Sequence, residues 1–276
     1  MHPILLNTTI AGHHLYLSSY TLFNLILNPL AVMVVGYVLM RRQGFKARVT
    51  LLSLLSLCIA VIAFSRLSNY VLNRNYYLEN GISIFQLSSF GFTMFGGFIL
   101  AIPLIFLWAR LVKFPPGRLF DLLTPGWALG IFFNKIGCLL NGCCFGRPTA
   151  LPWGLVYPAG SLPYRYFRTV SQQGGDLTVI TPLFKLVPVQ IYESIIGLLG
   201  FLLALTLLKR KLPPGVVCLG FAFLYSAARL GMHYVRVIDP HTQYAEFLPL
   251  VYVGCILLAG GLLALILLRS ENHAHR

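Results

Sequence analysis

Seven runs of roughly 20 apolar residues, each long enough to cross a bilayer as a helix, limit what this chain can become. They lie at about 18–40, 49–68, 89–109, 119–140, 189–208, 216–235 and 247–268. Hydrocarbon offers backbone N–H and C=O groups no partner, so such runs must be helical. The expected fold is an all-α polytopic membrane protein with seven transmembrane helices, forming a single transmembrane domain over 1–276. With 57% of its 276 residues hydrophobic and 10% charged, the chain is too apolar for a soluble domain. No internal repeat of 20–50 residues stands out, which argues against a transporter built from inverted repeats.

Lysine and arginine placement sets the expected orientation. The joints after spans one, three, five and seven carry Arg41, Arg42, Lys46 and Arg48; Arg110, Lys113 and Arg118; Lys209, Arg210 and Lys211; and Arg269 and Arg276. Those joints are expected to be cytoplasmic, with the N-terminus outside and the C-terminus inside. The first 40 residues hold no lysine or arginine, so no cleavable signal peptide is expected. The net charge of +14 follows from this bias and from attraction to anionic headgroups, not from nucleic-acid binding.

Residues 141–188 are too long for a turn and too polar to span, and read as a small head insertion between spans four and five. Trp153, Tyr157, Tyr164 and Tyr166 suit a membrane–water boundary. Arg147, Arg165, Arg168 and Lys185 run against the charge bias. They either bind a phospholipid phosphate or belong to a solvated head region. Just before it, residues 137–146 read Gly-Cys-Leu-Leu-Asn-Gly-Cys-Cys-Phe-Gly. Such a break at the end of an apolar span is tolerated only where protein or a wet cavity surrounds it, so it marks a site. Cys138 could bridge to Cys143 or Cys144, whereas Cys58, Cys218 and Cys255 read as core residues. No histidine or second cysteine pair stands at ligand spacing, so no metal is expected, and nothing points to a cofactor.

Ionisable residues inside spans are functional candidates by default. They are Lys135, one turn before the Gly-Cys break; Glu193; and Arg229, His233 and Arg236, whose offsets of four and three put them on one helix face. Two arginines on one stripe suit an anionic oxygen pair, most naturally a phosphate. For Arg236 the alternative is an interfacial snorkel, and for Glu193 a structural ion pair with Lys135 or an arginine. For His233 it is a buried histidine bonded to a carbonyl. Asp121 reads as a helix-start acid complementing its own helix dipole.

These segments together resemble the prolipoprotein diacylglyceryl transferases, a bacterial inner-membrane family. The resemblance rests on Met-His-Pro-Ile-Leu at the start, Met-Phe-Gly-Gly at 94–97, Asn-Gly-Cys-Cys-Phe-Gly-Arg-Pro-Thr ending at Thr149, and Pro-Trp-Gly-Leu-Val-Tyr-Pro at 152–158. It continues with Pro188, Gln190, Tyr192 and Glu193, then Arg229 and Arg236. It implies transfer of the diacylglyceryl group of phosphatidylglycerol to a lipobox cysteine of prolipoproteins, in the bacterial inner membrane, with the head insertion periplasmic. The partners implied are phosphatidylglycerol, prolipoprotein signal peptides and membrane lipid, and the protein is expected to be a monomer. By the same resemblance Arg229, Glu193 and Tyr192 are catalytic; Lys135, Arg229, Arg236, Asn141, Gly142, Gly146 and Gln190 bind the headgroup. The family pattern Gly-Arg-x-Gly-Asn-Phe-x-Asn-x-Glu has Lys135 for its arginine, Cys138 for its first asparagine and Cys143 for its glutamate. Phe95 stands where a histidine or tyrosine is usual, and His233 where a glutamate is, which makes His233 a candidate thiol base beside Arg229. Other readings stay open: a diverged member that binds glycerophospholipid or transfers it to a different acceptor, an inactive lipid-binding homologue, and a thiol redox protein using Cys138, Cys143 and Cys144.

Overall fold

Hydropathy and turn chemistry account for most of the helices. The computed structural model describes residues 3–10, 13–79, 81–85, 94–172, 185–238 and 245–274. A hairpin of β1 (Ile4–Ile10) and β2 (His13–Ser18) opens the chain. A π-helical stretch, Thr21–Leu27, leads into α1 (Asn28–Arg42). Then come α2 (Ala47–Leu72), α3 (Arg74–Glu79), α4 (Met94–Leu111) and α5 (Pro116–Asn141). The head region holds β3 (Leu155–Val156), α6 (Leu162–Gln172) and β4 (Lys185–Leu186). The chain continues with α7 (Val189–Leu208), α8 (Val216–Val235) and α9 (Leu248–Ala274).

Among the described residues, six helices are long and apolar enough to cross a membrane. The expected third span, 89–109, begins outside the described residues, and α4 carries its continuation, apolar from Leu100 to Leu111. Proline marks the starts. Pro116 is the first residue of α5, where its missing N–H would be unpaired anyway. Pro213 and Pro214 stop the chain before α8. Large apolar side chains such as Ile59, Leu257 and Leu258 stay exposed along these helices, as a lipid-facing surface requires. α5 is the most buried of the six.

The chain divides into two compact units. One comprises Pro29–Ala128, Phe201–Phe221 and Ala259–Arg276. Its core joins Met40, Leu54, Leu57, Ile105, Leu119 and Leu123 from α1, α2, α4 and α5. Here Asp121 departs from its expected role. It lies inside α5, is fully buried, and accepts the N–H groups of Gly215 (2.8 Å) and Cys218 (2.9 Å). The carboxylate complements a helix N-terminus as expected, but that of α8 rather than its own. Arg66, an in-span charge absent from the sequence candidates, is buried at the far end of α2. It donates to the carbonyls of Ile84 (2.9 Å) and Ser83 (3.3 Å), a structural role.

The other unit comprises Met1–Asn28, Leu129–Gly200 and Ala222–Leu258 and carries every candidate site residue. Residues 145–149 pair on one side with 235–237 and on the other with 185–187. The bonds run from Arg147 N to Val235 O (2.8 Å), Val237 N to Phe145 O (3.1 Å), Val187 N to Arg147 O (3.0 Å) and Thr149 N to Lys185 O (2.9 Å). Tyr157, expected at the membrane boundary, is instead buried with Phe167 and Leu186, because its hydroxyl finds Gln190. Cys255, expected in the core, is exposed on α9. The side chain of Phe95 lies outside the description.

Candidate active site

Three helices and one short pairing bring the intramembrane charges together. Glu193, in the first two turns of α7, is 1% exposed. One of its oxygens, Oε1, accepts from Arg229 of α8. The other, Oε2, lies against the ammonium of Lys135 from α5 and has no other donor among the described residues. Arg236 approaches Oε1 at 3.9 Å. Lys135 is buried, and the two arginine side chains are 17% and 21% exposed. Three cations thus face one carboxylate, leaving two positive charges in a site with little water. Buried positive charge in excess of its counter-ion favours a neighbouring anion.

Arg229 is fixed a second time. Its Nη2 donates to the Tyr252 hydroxyl at 2.9 Å, and its guanidinium lies 5.5 Å from that ring's centre. Arg236 stands one residue beyond α8, held by backbone pairing with Gly146. A Cβ at Gly146 would lie 2.4 Å from the Val187 carbonyl oxygen, so only glycine allows this pairing. The side chain of Arg236 turns inward. It faces Glu193 and also lines a cavity of about 400 Å³ with Arg147, Tyr166, Phe167, His233 and Glu246. His233 is partly exposed to that cavity and packs 5.5 Å from the Tyr234 ring and 6.5 Å from that of Tyr252.

The remaining candidates divide. Asn141 ends α5 with a buried Nδ2 that is directed at the Cys143 sulfur and finds no oxygen or nitrogen acceptor among the described residues. Gln190 is fully buried, and its Nε2 donates to the Cys143 carbonyl (2.8 Å) and the Tyr157 hydroxyl (3.0 Å). Both amide hydrogens are used, so Gln190 positions the loop. Tyr192 accepts from Trp153 Nε1 at 2.7 Å and is not among the groups around Glu193. Gly142 takes φ +77° and reverses the chain after α5.

That reversal gathers three free thiols. The Sγ atoms of Cys138, Cys143 and Cys144 all lie within 4.8 Å of one another. Hydrogen bonds from the thiols of Cys138 and Cys143 hold Cys144 well below the ordinary thiol range. The charges of Arg236 and Lys135 add to this, against burial. The contact with Cys138 favours a Cys143 thiolate, but Cys144 and burial outweigh it and push Cys143 up to about 12. The Cys144 thiolate is in turn the first cause that raises Arg236. The cluster and the cation site therefore share Arg236 and Lys135.

Fold and site define a multi-pass helical membrane protein with three cations gathered around one carboxylate among its helices. A sequence profile for prolipoprotein diacylglyceryl transferase matches residues 9–268. A Dehalococcoides mccartyi protein named phosphatidylglycerol–prolipoprotein diacylglyceryl transferase is 33% identical over 200 residues, covering 72% of this chain and 68% of its own. Relatives of the same name from Nitratidesulfovibrio vulgaris (30% identical, 67% of this chain and 63% of theirs) and Geobacter sulfurreducens (29%, 67% and 64%) also match. This chain belongs to the prolipoprotein diacylglyceryl transferase family.

Proposed function

We propose that this protein transfers the diacylglyceryl group of phosphatidylglycerol to the thiol of a lipobox cysteine in prolipoproteins. The reaction would occur in the outer half of the bacterial inner membrane. The observation that carries this reading is the convergence of three cations, Lys135, Arg229 and Arg236, on the single carboxylate of Glu193. A phosphodiester and an attacking thiolate bring two negative charges. As the sulfur–carbon bond forms and the carbon–oxygen bond breaks, both charges collect on the departing glycerol phosphate. Fixed cations aimed at that oxygen stabilise the transition state more than the ground state.

Each residue has a part in this scheme. Arg236, which faces both Glu193 and the cavity, receives the phosphate, with Arg229 and Lys135 behind it. Asn141, whose Nδ2 lacks an oxygen acceptor, offers it to a phosphate oxygen. Glu193 keeps the three cations apart yet converged before lipid arrives. His233, in the same cavity as Arg236, takes the proton of the acceptor thiol. Tyr252 and Gln190 act on Arg229 and the 143–146 loop as positioning residues.

The test is incubation of the purified protein with phosphatidylglycerol and a lipobox peptide. The peptide should gain one diacylglyceryl group by mass as glycerol phosphate is released. His233→Gln should abolish transfer while leaving lipid binding intact. Near-wild-type transfer by that variant removes His233 as base. No mass gain with wild-type protein under conditions where it binds phosphatidylglycerol refutes the assigned acceptor. That second outcome would favour the lipid-binding reading, for which the changes at Lys135, Cys138 and Cys143 give a motive.

A further inference from the structure

Cys138, Cys143 and Cys144 take no part in the scheme above, yet local backbone geometry drives them together. α5 ends in a Schellman turn. Gly142 N donates to Leu139 O (3.2 Å), and Cys143 N donates to Cys138 O (3.0 Å). This turn lays the residue after the glycine onto the residue five before it, usually as an apolar contact. Here both positions are cysteines, and the Cys143 thiol also donates to the Cys138 carbonyl at 3.7 Å. Cys144 follows with φ +60°, a left-handed conformation unusual for a residue with a Cβ. Gln190 braces the loop from α7. The sequence spacing argues against a metal site, but the turn converts that spacing into a convergent set of sulfurs.

We propose that Cys138, Cys143 and Cys144 form a three-thiolate site for a zinc-class divalent cation, with the fourth coordination position left to the acceptor thiol. The assignment of the fourth ligand rests on the transferase reading above. Thiolate sulfur suits a borderline-soft cation of flexible coordination. Zinc–sulfur bonds of about 2.3 Å put tetrahedral sulfurs about 3.8 Å apart. The present spacing, at most 4.8 Å, reaches that by side-chain rotation. No fourth histidine, cysteine or carboxylate joins the set among the described residues, and three protein ligands with an open position is the arrangement of catalytic zinc. Binding displaces the protons of the thiols and leaves one net negative charge, which Lys135 and Arg236 offset.

The acceptor cysteine would bind as its thiolate, losing its proton to His233. Metal coordination favours the thiolate, and His233 takes the proton that it releases. The sulfur then attacks the diacylglyceryl carbon. The carbon–oxygen bond pair leaves with the phosphate, and the neutral thioether dissociates.

The test uses full-length protein purified under reducing conditions and loaded with zinc or cobalt(II). Elemental analysis should give close to one zinc per chain. Cobalt-loaded protein should show a thiolate-to-metal charge-transfer band that changes on adding a lipobox peptide but not its Cys→Ser analogue. Single Cys138→Ser, Cys143→Ser and Cys144→Ser changes should each weaken zinc retention by more than the roughly 10–100-fold that outer-shell partners carry. Cys255→Ser, at an exposed position, should change nothing. Peptide lipidation without bound metal, unaffected by the cysteine changes, overturns the inference while the transferase reading stands. A disulfide among the three in active protein also overturns it. A band indifferent to the peptide overturns the fourth-ligand assignment.

Discussion

Replacing Glu193 with glutamine keeps the side-chain shape and removes the one negative charge that three cations surround. At an effective dielectric of about 20, Arg236 at 3.9 Å loses roughly 4 kcal/mol of attraction, and the two closer partners lose more. Rehydration and small shifts return most of this. Removing one partner from a buried pair typically leaves a net loss of about 3–5 kcal/mol. At a few degrees per kcal/mol, that lowers the melting temperature by roughly 10 °C. Thermal unfolding in detergent, followed by tryptophan fluorescence, reads it directly. Two companion results separate charge from packing. Lys135→Met in the Glu193→Gln background should return at least about 1 kcal/mol, since contacting residues couple by about 0.5–3 kcal/mol. Phosphatidylglycerol should raise the melting temperature of Glu193→Gln more than that of wild type, because an anion now does the carboxylate's work. A Glu193→Gln protein melting within about 2 °C of wild type, with no coupling to Lys135, refutes the converged cation cluster.

Four further outcomes follow from single contacts. Gly146→Ala drives a Cβ into the Val187 carbonyl at 2.4 Å, so it should lower stability by about 1–3 kcal/mol and displace Arg236, seen as a greater than tenfold loss of transfer. Asp121→Asn loses one of two acceptors for the first N–H groups of α8; melting should show a loss of about 1–3 kcal/mol while the folded fraction keeps its transfer rate. Gln190→Leu strands the buried Cys143 carbonyl and Tyr157 hydroxyl, at a cost of about 1–3 kcal/mol and with faster hydrogen exchange in the 143–146 loop. In metal-free protein, Cys144 is held below the ordinary thiol value and Cys143 is pushed up to about 12. A lowered value means thiolate persists as pH falls. Peptide mapping after iodoacetamide treatment about two units below the free-cysteine value of about 8.5 should therefore find Cys144 alkylated first.

Hydropathy and punctuation made most of the helices legible. α7 and α8 match the spans read from 189–208 and 216–235, because Pro188 and the Pro213–Pro214 pair announce their starts. The candidate charges were legible too, since Lys135, Glu193, Arg229 and Arg236 are rare events inside apolar runs. The β1–β2 hairpin was not foreseen, and the pairing of 145–149 with strands distant in sequence could not be. The hairpin pairs locally but lies beside the first apolar run, and the 145–149 segment is set by partners far along the chain. Asp121 shows the same limit, because a dipole argument finds the helix N-terminus but not whose it is. Gly142 carries a usable signal: a glycine just past a helix folds the next residue back onto the one five before, here Cys143 onto Cys138.

The chain's own order of residues determined that it must span a membrane and that a few charges must lie inside it. Lipid rejects unpaired backbone and tolerates charge only for a reason. Tertiary structure alone decided that three of those charges share one carboxylate, that Arg236 faces a cavity, and that three sulfurs meet. Each of those facts depends on distances between helices, and no linear pattern encodes a distance between elements that fold apart and pack later.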